Sequence, residues 1–171
     1  MSIDDFNNTS HYLPILNASV LADIIVLIIV YYTPFFNSKF LMNYYEEYRL
    51  GAIIADVLIL VIGMIITRYH YKTFFNEFSI LNFLVLALVI QIIHDILFFL
   101  FFSSVPLGKN KFLDIFKKYA KEVSWGAILG DSFMIILTVL FSVYFSKQSY
   151  NYNIILLTVL VYLIPYVLYT R

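Results

Sequence analysis

No cysteine occurs in the 171 residues, so disulfides, thiol redox chemistry and Cys-ligated zinc or iron–sulfur sites are excluded. Charge is also scarce. Asp, Glu, Lys and Arg make up 13% of the chain and cancel to a net charge of zero, so nucleic acid is not expected as a partner, and no cofactor is implied. None of the eleven Lys and Arg residues falls in the middle of an apolar run, which leaves no buried amine for a Schiff base. There is no Thr-Val-Gly-Tyr-Gly filter of the potassium-channel kind. The first apolar run has no Lys or Arg before it, Lys39 being the earliest. It therefore lacks the basic start of a secretory signal and reads as a retained helix.

What remains is mostly apolar: 62% hydrophobic, 19% aromatic, with a mean hydropathy of +0.86. That is the composition of a chain whose solvent is a bilayer. Five stretches reach the roughly 20 residues that a membrane-spanning helix needs. They run from Leu13 to Thr33, Leu50 to Thr67, Ile80 to Phe102, Trp125 to Phe145 and Tyr152 to Tyr169. The expected fold is an all-α, polytopic integral membrane protein. Two connections between spans carry aromatic residues at helical spacing: Phe40, Tyr44 and Tyr48 in the first, Phe112, Phe116, Tyr119 and Val123 in the second. Both read as amphipathic helices lying on the membrane surface. Lys117, Lys118 and Lys121 point away from the apolar face of the second, a pattern suited to anionic lipid head groups.

Compared with itself, the chain repeats. Gly51-Ala52-Ile53-Ile54-Ala55-Asp56 returns as Gly126-Ala127-Ile128-Leu129-Gly130-Asp131 at an offset of 75. At an offset of 72, Asp23, Pro34 and Lys39-Phe40-Leu41 fall on Asp95, Pro106 and Lys111-Phe112-Leu113. The expected organisation is a short N-terminal segment (1–12), a first two-helix unit (13–72), its tandem copy (80–146) and an added fifth helix (152–171). Two spans per unit give the copies one orientation, hence a pseudo-two-fold axis along the membrane normal. Eight of the Lys and Arg residues fall in the loops after the first and third spans or at Arg171, and three fall on the other side. By the positive-inside rule the N-terminus is outside and the C-terminus cytoplasmic.

Each of the first four spans carries a single aspartate, namely Asp23, Asp56, Asp95 and Asp131. An ionisable group at such depth is costly and marks a candidate functional site. Asp23 and Asp95 each lie 11 residues before a proline, Asp56 lies seven after Arg49, and Asp131 six after Trp125. At 1.5 Å per residue all four fall about 10–15 Å below the same interface. Stepping three or four residues from Asp56 and Asp131 gives stripes of small and polar residues, which face a bundle interior. Gln91 stands one turn from Asp95, and Ser19 one turn from Asp23. His94 is adjacent to Asp95 but about 100° around the helix, and is a further candidate for proton relay or metal ligation. The Gly51/Ala55 and Gly126/Gly130 pairs are small-residue helix-packing motifs. The run Phe98-Phe99-Leu100-Phe101-Phe102 reads as lipid-facing or packing surface, with no ligand box expected in it.

Four acids in one layer, with no basic side chain at that depth, cannot all be ionised without a cation among them. The pattern points to a proton or cation channel or transporter, whose narrow pathway several copies would widen by assembling. The alternative is a structural or assembly protein of a cellular, organellar or virion membrane in which the acids only set helix packing. An enzyme is not expected. Leu129-Gly130-Asp131 resembles the end of the Gly-x-Gly-Asp motif of intramembrane aspartyl proteases, but Ile128 replaces its first glycine, and the Tyr-Asp and Pro-Ala-Leu elements are missing.

Overall fold

A computed structural model describes residues 2–35 and 38–170; Arg171, counted above among the cytoplasmic charges, lies outside them. Among the described residues the chain is all-helical, with no strand. After a short 3₁₀ turn at Thr9–His11 come α1 (Tyr12–Tyr32), α2 (Lys39–Tyr48), α3 (Leu50–Phe74), α4 (Ile80–Ser104), α5 (Lys111–Val123), α6 (Gly126–Phe145) and α7 (Tyr150–Leu168). Five of these, α1, α3, α4, α6 and α7, are long and apolar enough to cross a membrane, which is compatible with an integral membrane protein.

Local chemistry explains where the helices start. Ser38, Asn110, Ser79 and Ser149 precede α2, α5, α4 and α7, and each side chain accepts a backbone N–H of the first turn. Such caps satisfy donors that have no partner within the helix. Where α2 turns into α3, Arg49 takes φ 50°, ψ −122°; where α5 turns into α6, Ser124 takes φ 49°, ψ −120°. These two corners stand 75 residues apart, the offset of the Gly-Ala-Ile echo.

Helix α3 runs on past the apolar stretch that ends at Thr67 and past Lys72, where the first two-helix unit was expected to close, reaching Phe74. The polar end Thr67-Arg68-Tyr69-His70 stays helical because distant groups satisfy it. The Arg68 Nε donates to the Ile3 carbonyl at 2.8 Å, and its Nη2 donates to the carbonyls of Asp5 and Asn8. One turn on, the Tyr71 hydroxyl donates to the Glu77 carbonyl and accepts the Ser79 N–H at 2.8 Å, tying down the turn into α4.

The packing has a centre. Helix α1 touches α3, α6 and α7, and residues on all sides of it are buried, including Ile15, Ala18, Ala22 and Leu27. A helix apolar all round belongs inside. Around the bundle α1 packs on α3, α3 on α4, α4 on α6 and α6 on α1; α2 lies on α3, α5 on α6, and α2 meets α5. Exchanging α1–α3 for α4–α6 converts each of these contacts into another of the set, and the α2–α5 contact into itself. On its outer face α4 exposes Leu81, Val85, Val89, Ile93, Leu97 and Leu100, an apolar belt that water would penalise and lipid would not.

Helix α7 is held to α1 through a polar contact. The Asn17 Nδ2 donates to the backbone carbonyl of Asn153 at 2.9 Å and to its side-chain oxygen at 3.0 Å, while the Asn153 Nδ2 donates to the Phe145 carbonyl. Both asparagines are buried. Interhelical bonds of this kind are worth about 1 kcal/mol in membranes. Asn17→Leu is therefore expected to lower thermal stability in detergent by about that amount and to speed hydrogen exchange in α7 more than in α3. Equal change in both helices would contradict this role.

Candidate functional site

The bundle encloses a cavity of about 820 Å³ between α2, α3, α4, α5 and α6, with Val26 the contribution of α1. Three of the four predicted acids line it, Asp56 from α3, Asp95 from α4 and Asp131 from α6. One turn deeper along their helices, Leu60 and Met134 close the floor. Asp23 lies behind this wall, fully buried in α1.

Each acid is held differently. Asp56 sits beneath the end of α2, where the Tyr44 hydroxyl donates to its Oδ1 and the Tyr45 hydroxyl to its Oδ2, both at 2.9 Å. On Asp95, the Gln91 Nε2 donates to Oδ1 at 2.5 Å and the His94 Nδ1 lies 3.3 Å from the same atom, while Oδ2 is buried without a partner. The angular offset between His94 and Asp95 thus does not keep them apart. The His94 ring also stacks on Phe98, with centroids 5.8 Å apart. The Tyr45 hydroxyl, which donates to Asp56, is the one donor near Asp23, whose oxygens accept no well-formed bond; Ser19, one turn away, donates to its own Ile15 carbonyl instead.

The short helices α2 and α5 supply residues the sequence reading did not assign to the site. Burial and then the charges of Asp56, Asp23 and Asp131 push the Tyr44 phenol far above its ordinary range. Tyr45 is pushed up by burial, Asp56 and Asp23, and Tyr119 on α5 by burial and then Asp131 and Asp56. All three remain neutral donors at any physiological pH, and together they sense all four acids, since Asp95 also acts on Tyr119. The sequence held the signal. Tyr44 stands 12 residues before Asp56, and Tyr119 stands 12 before Asp131.

Aromatic rings complete the walls. Phe98, Phe99 and Phe102 of α4 line the cavity, so of the two readings of this run, lipid-facing or packing surface, these residues take the packing one. Phe98 meets Phe116 of α5 at 5.2 Å, and Tyr44 meets Phe112 at 5.6 Å and Phe116 at 5.3 Å. The apolar face of α5 therefore packs over the cavity as a roof. Lys118 and Lys121 are exposed, whereas Lys117 folds back onto the Val105 carbonyl, 3.8 Å from Asp114.

The small residues are placed unevenly. Ala55 and Gly130 lie on the cavity wall. A Cβ on Gly51 or Gly126 would meet only Tyr48 or Val123 of its own chain segment, at 4.0 and 3.6 Å. A Cβ on Gly63 would stand 3.8 Å from the Ile135 Cδ1 of α6, an ordinary van der Waals contact.

Glu122, near the end of α5, reaches across to α2. It accepts from the Ser38 hydroxyl, from the Lys39 N–H at 3.2 Å and from the Phe40 N–H at 3.3 Å. Partial burial raises its carboxyl, but these donors outweigh that and hold it below the ordinary glutamate range. A depressed value means the contact is complete above the unfolded-state pKa and is lost as pH falls through the folded one. Amide protection in the first turn of α2 is expected to fall between pH 6 and pH 3 in the wild type. In Glu122→Gln it is expected to be low at both; a pH response unchanged by the substitution would contradict the contact.

The fold and site thus define an all-helical chain with five potential spans around a carboxylate-lined cavity. No family model matches the chain, and neither a curated protein nor a solved structure is similar to it.

Proposed function

We propose that the protein is a proton or cation transporter whose exchange site is the aspartate layer. The observation that carries this reading is a cavity walled by Asp56, Asp95 and Asp131, with the Asp95 Oδ2 buried and without a donor. Buried acceptors without donors are rare and call for an occupant, and here the occupant must be positive. The groups facing the layer are Asp23 from α1, Tyr44 and Tyr45 from α2, and Asp56 from α3. From the other half come His94 and Asp95 on α4, Tyr119 on α5 and Asp131 on α6. None is a Lys or Arg, so protons or a cation supply the balancing charge.

Tandem duplication is part of the reading. It is supported by the matched caps Ser38 and Asn110, the matched corners Arg49 and Ser124, and contacts that interchange between the two units. The distribution of Lys and Arg supports a cytoplasmic cavity roof, with the N-terminus outside. Toward the outside, the buried Arg68 and the N-terminal segment close the bundle. The cavity is then sealed toward the outside and capped by α2 and α5 on the cytoplasmic side.

A second reading, a structural membrane protein, is favoured by Asp56 alone, because two phenols cap both its oxygens and tie α2 to α3. Reconstituted vesicles separate the two. Transport predicts dissipation of an imposed proton or cation gradient faster than in protein-free vesicles; no flux under any such gradient selects the structural reading.

A further inference from the structure

From the chemistry of the cavity we infer that its substrate is a lipophilic organic cation, an amine or quaternary ammonium carried on an apolar body. The inference rests on the transport reading and names its substrate class.

Size is the first argument. At about 820 Å³ the cavity is in the range that encloses drug-sized molecules, far larger than a dehydrated inorganic ion. Donor geometry is the second. A hard metal cation needs six or more converging oxygens, and among the described residues no group of three His, Asp or Glu side chains is placed to hold a metal. The acids are distributed around a large volume instead of converging on a point.

The walls supply the third argument. Apart from Gln91, Ser124, the acids, His94 and the tyrosines, the lining is apolar, and no Lys or Arg contributes to it. Phe40, Phe98, Phe102, Phe112 and Phe116 present ring faces and edges. Aromatic faces attract organic cations, whose dispersed charge is cheap to desolvate. Anions and zwitterions with a phosphate would meet three carboxylates; neutral molecules would leave the acids uncompensated. Access fits the same class. Ile96 and Phe99 of α4 and Trp125 at the start of α6 line the cavity and are also exposed on the outer surface, so the mouth runs from the apolar belt to the membrane boundary. A molecule dissolved in the leaflet can enter sideways, its charge reaching the acids as its body settles among the rings.

Equilibrium binding of radiolabelled tetraphenylphosphonium to the full chain in lipid nanodiscs tests this, with empty nanodiscs correcting for partition. Tetraphenylborate, of similar size and opposite charge, is the control. The expected result is saturable cation binding that quaternary ammonium compounds displace. It weakens as pH falls, because protons compete for the acids, and the borate shows no saturable component. Asp56→Asn with Asp131→Asn is expected to weaken binding about tenfold or more, and Asp131→Asn or Asp95→Asn alone by less, so a double variant that fails to fold does not hide the effect. Phe116→Leu, which keeps the volume and removes the ring, is expected to weaken it severalfold. Unsaturable binding in the wild type, or equal affinity in the Asn variants, overturns the inference. Vesicles that still dissipate a proton gradient in that case leave the transport reading standing, whereas saturable binding without flux overturns transport and keeps the site.

Discussion

Replacing Asp56 and Asp131 together by Asn is expected to leave a folded membrane protein whose proton- or cation-driven flux falls to that of protein-free vesicles. Asn keeps the shape of Asp and offers one acceptor and one donor group where the carboxylate offered two acceptors. The Tyr44 hydroxyl can go on donating to the remaining oxygen, and the Tyr45 hydroxyl can rotate to accept from the new amide. The tie between α2 and α3 therefore survives, while two of the three titratable acids on the cavity wall are gone. Helix content by circular dichroism and a monodisperse elution profile establish folding independently of transport. Flux equal to the wild type would remove both residues from the coupling site. Loss of folding, with flux intact in Asp95→Asn, would move the function of the layer toward packing.

The second large effect is expected at Arg68, far from the acids. Arg68 is fully buried, donates to three backbone carbonyls of the N-terminal segment and stacks over the Tyr12 ring, 4.8 Å from its centroid. Beside it, Lys72 pairs with the buried Asp4 at 2.5 Å. Arg68→Leu deprives those carbonyls of their donors, and each charge-assisted bond contributes about 1.5–3 kcal/mol. The segment is expected to come away from the bundle, with a net loss of about 3 kcal/mol after rehydration of the freed carbonyls. Limited proteolysis near Phe6 and thermal unfolding in detergent report both effects. Arg68→Lys keeps the charge but not the planar fork of donors, so it should fall between the two. Unchanged protease resistance in Arg68→Leu would show that the segment is held by other contacts.

Arg68 also shows where sequence reasoning stopped. Hydropathy and period located five span-length helices and two short amphipathic ones, and counting from the prolines, Arg49 and Trp125 gave the expectation of one acid layer. Those are local properties. The apolar run stops at Thr67, and nothing local shows what holds the polar turns that carry α3 on through Arg68-Tyr69-His70, because those groups lie some 60 residues earlier in the chain. The pairing of Asn17 with Asn153 is long-range in the same way. Tyr44 and Tyr119 differ, because their common spacing to Asp56 and Asp131 stood in the repeat. They were read as the apolar faces of two surface helices, and the aromatic cluster of α4 as lipid-facing or packing surface with no cavity behind it. Amphipathicity reveals that a helix has an apolar side; what that side covers depends on the corner that sets its angle, here Arg49 and Ser124.

The central position of α1 bears on how the protein is made. The ribosome releases α1 first, yet two of the helices that enclose it, α6 and α7, are the last to be synthesised. At translation speeds of roughly 5–20 residues per second, the interval between Asp23 and Asn153 is on the order of ten seconds. Throughout that time Asn17, Ser19 and Asp23 lack their native surroundings. The nascent helix must wait beside the insertion machinery or a membrane chaperone, or pair provisionally with α3. Any truncation before α7 leaves the Asn17 amide without its Asn153 partner, a polar group that an apolar surrounding penalises.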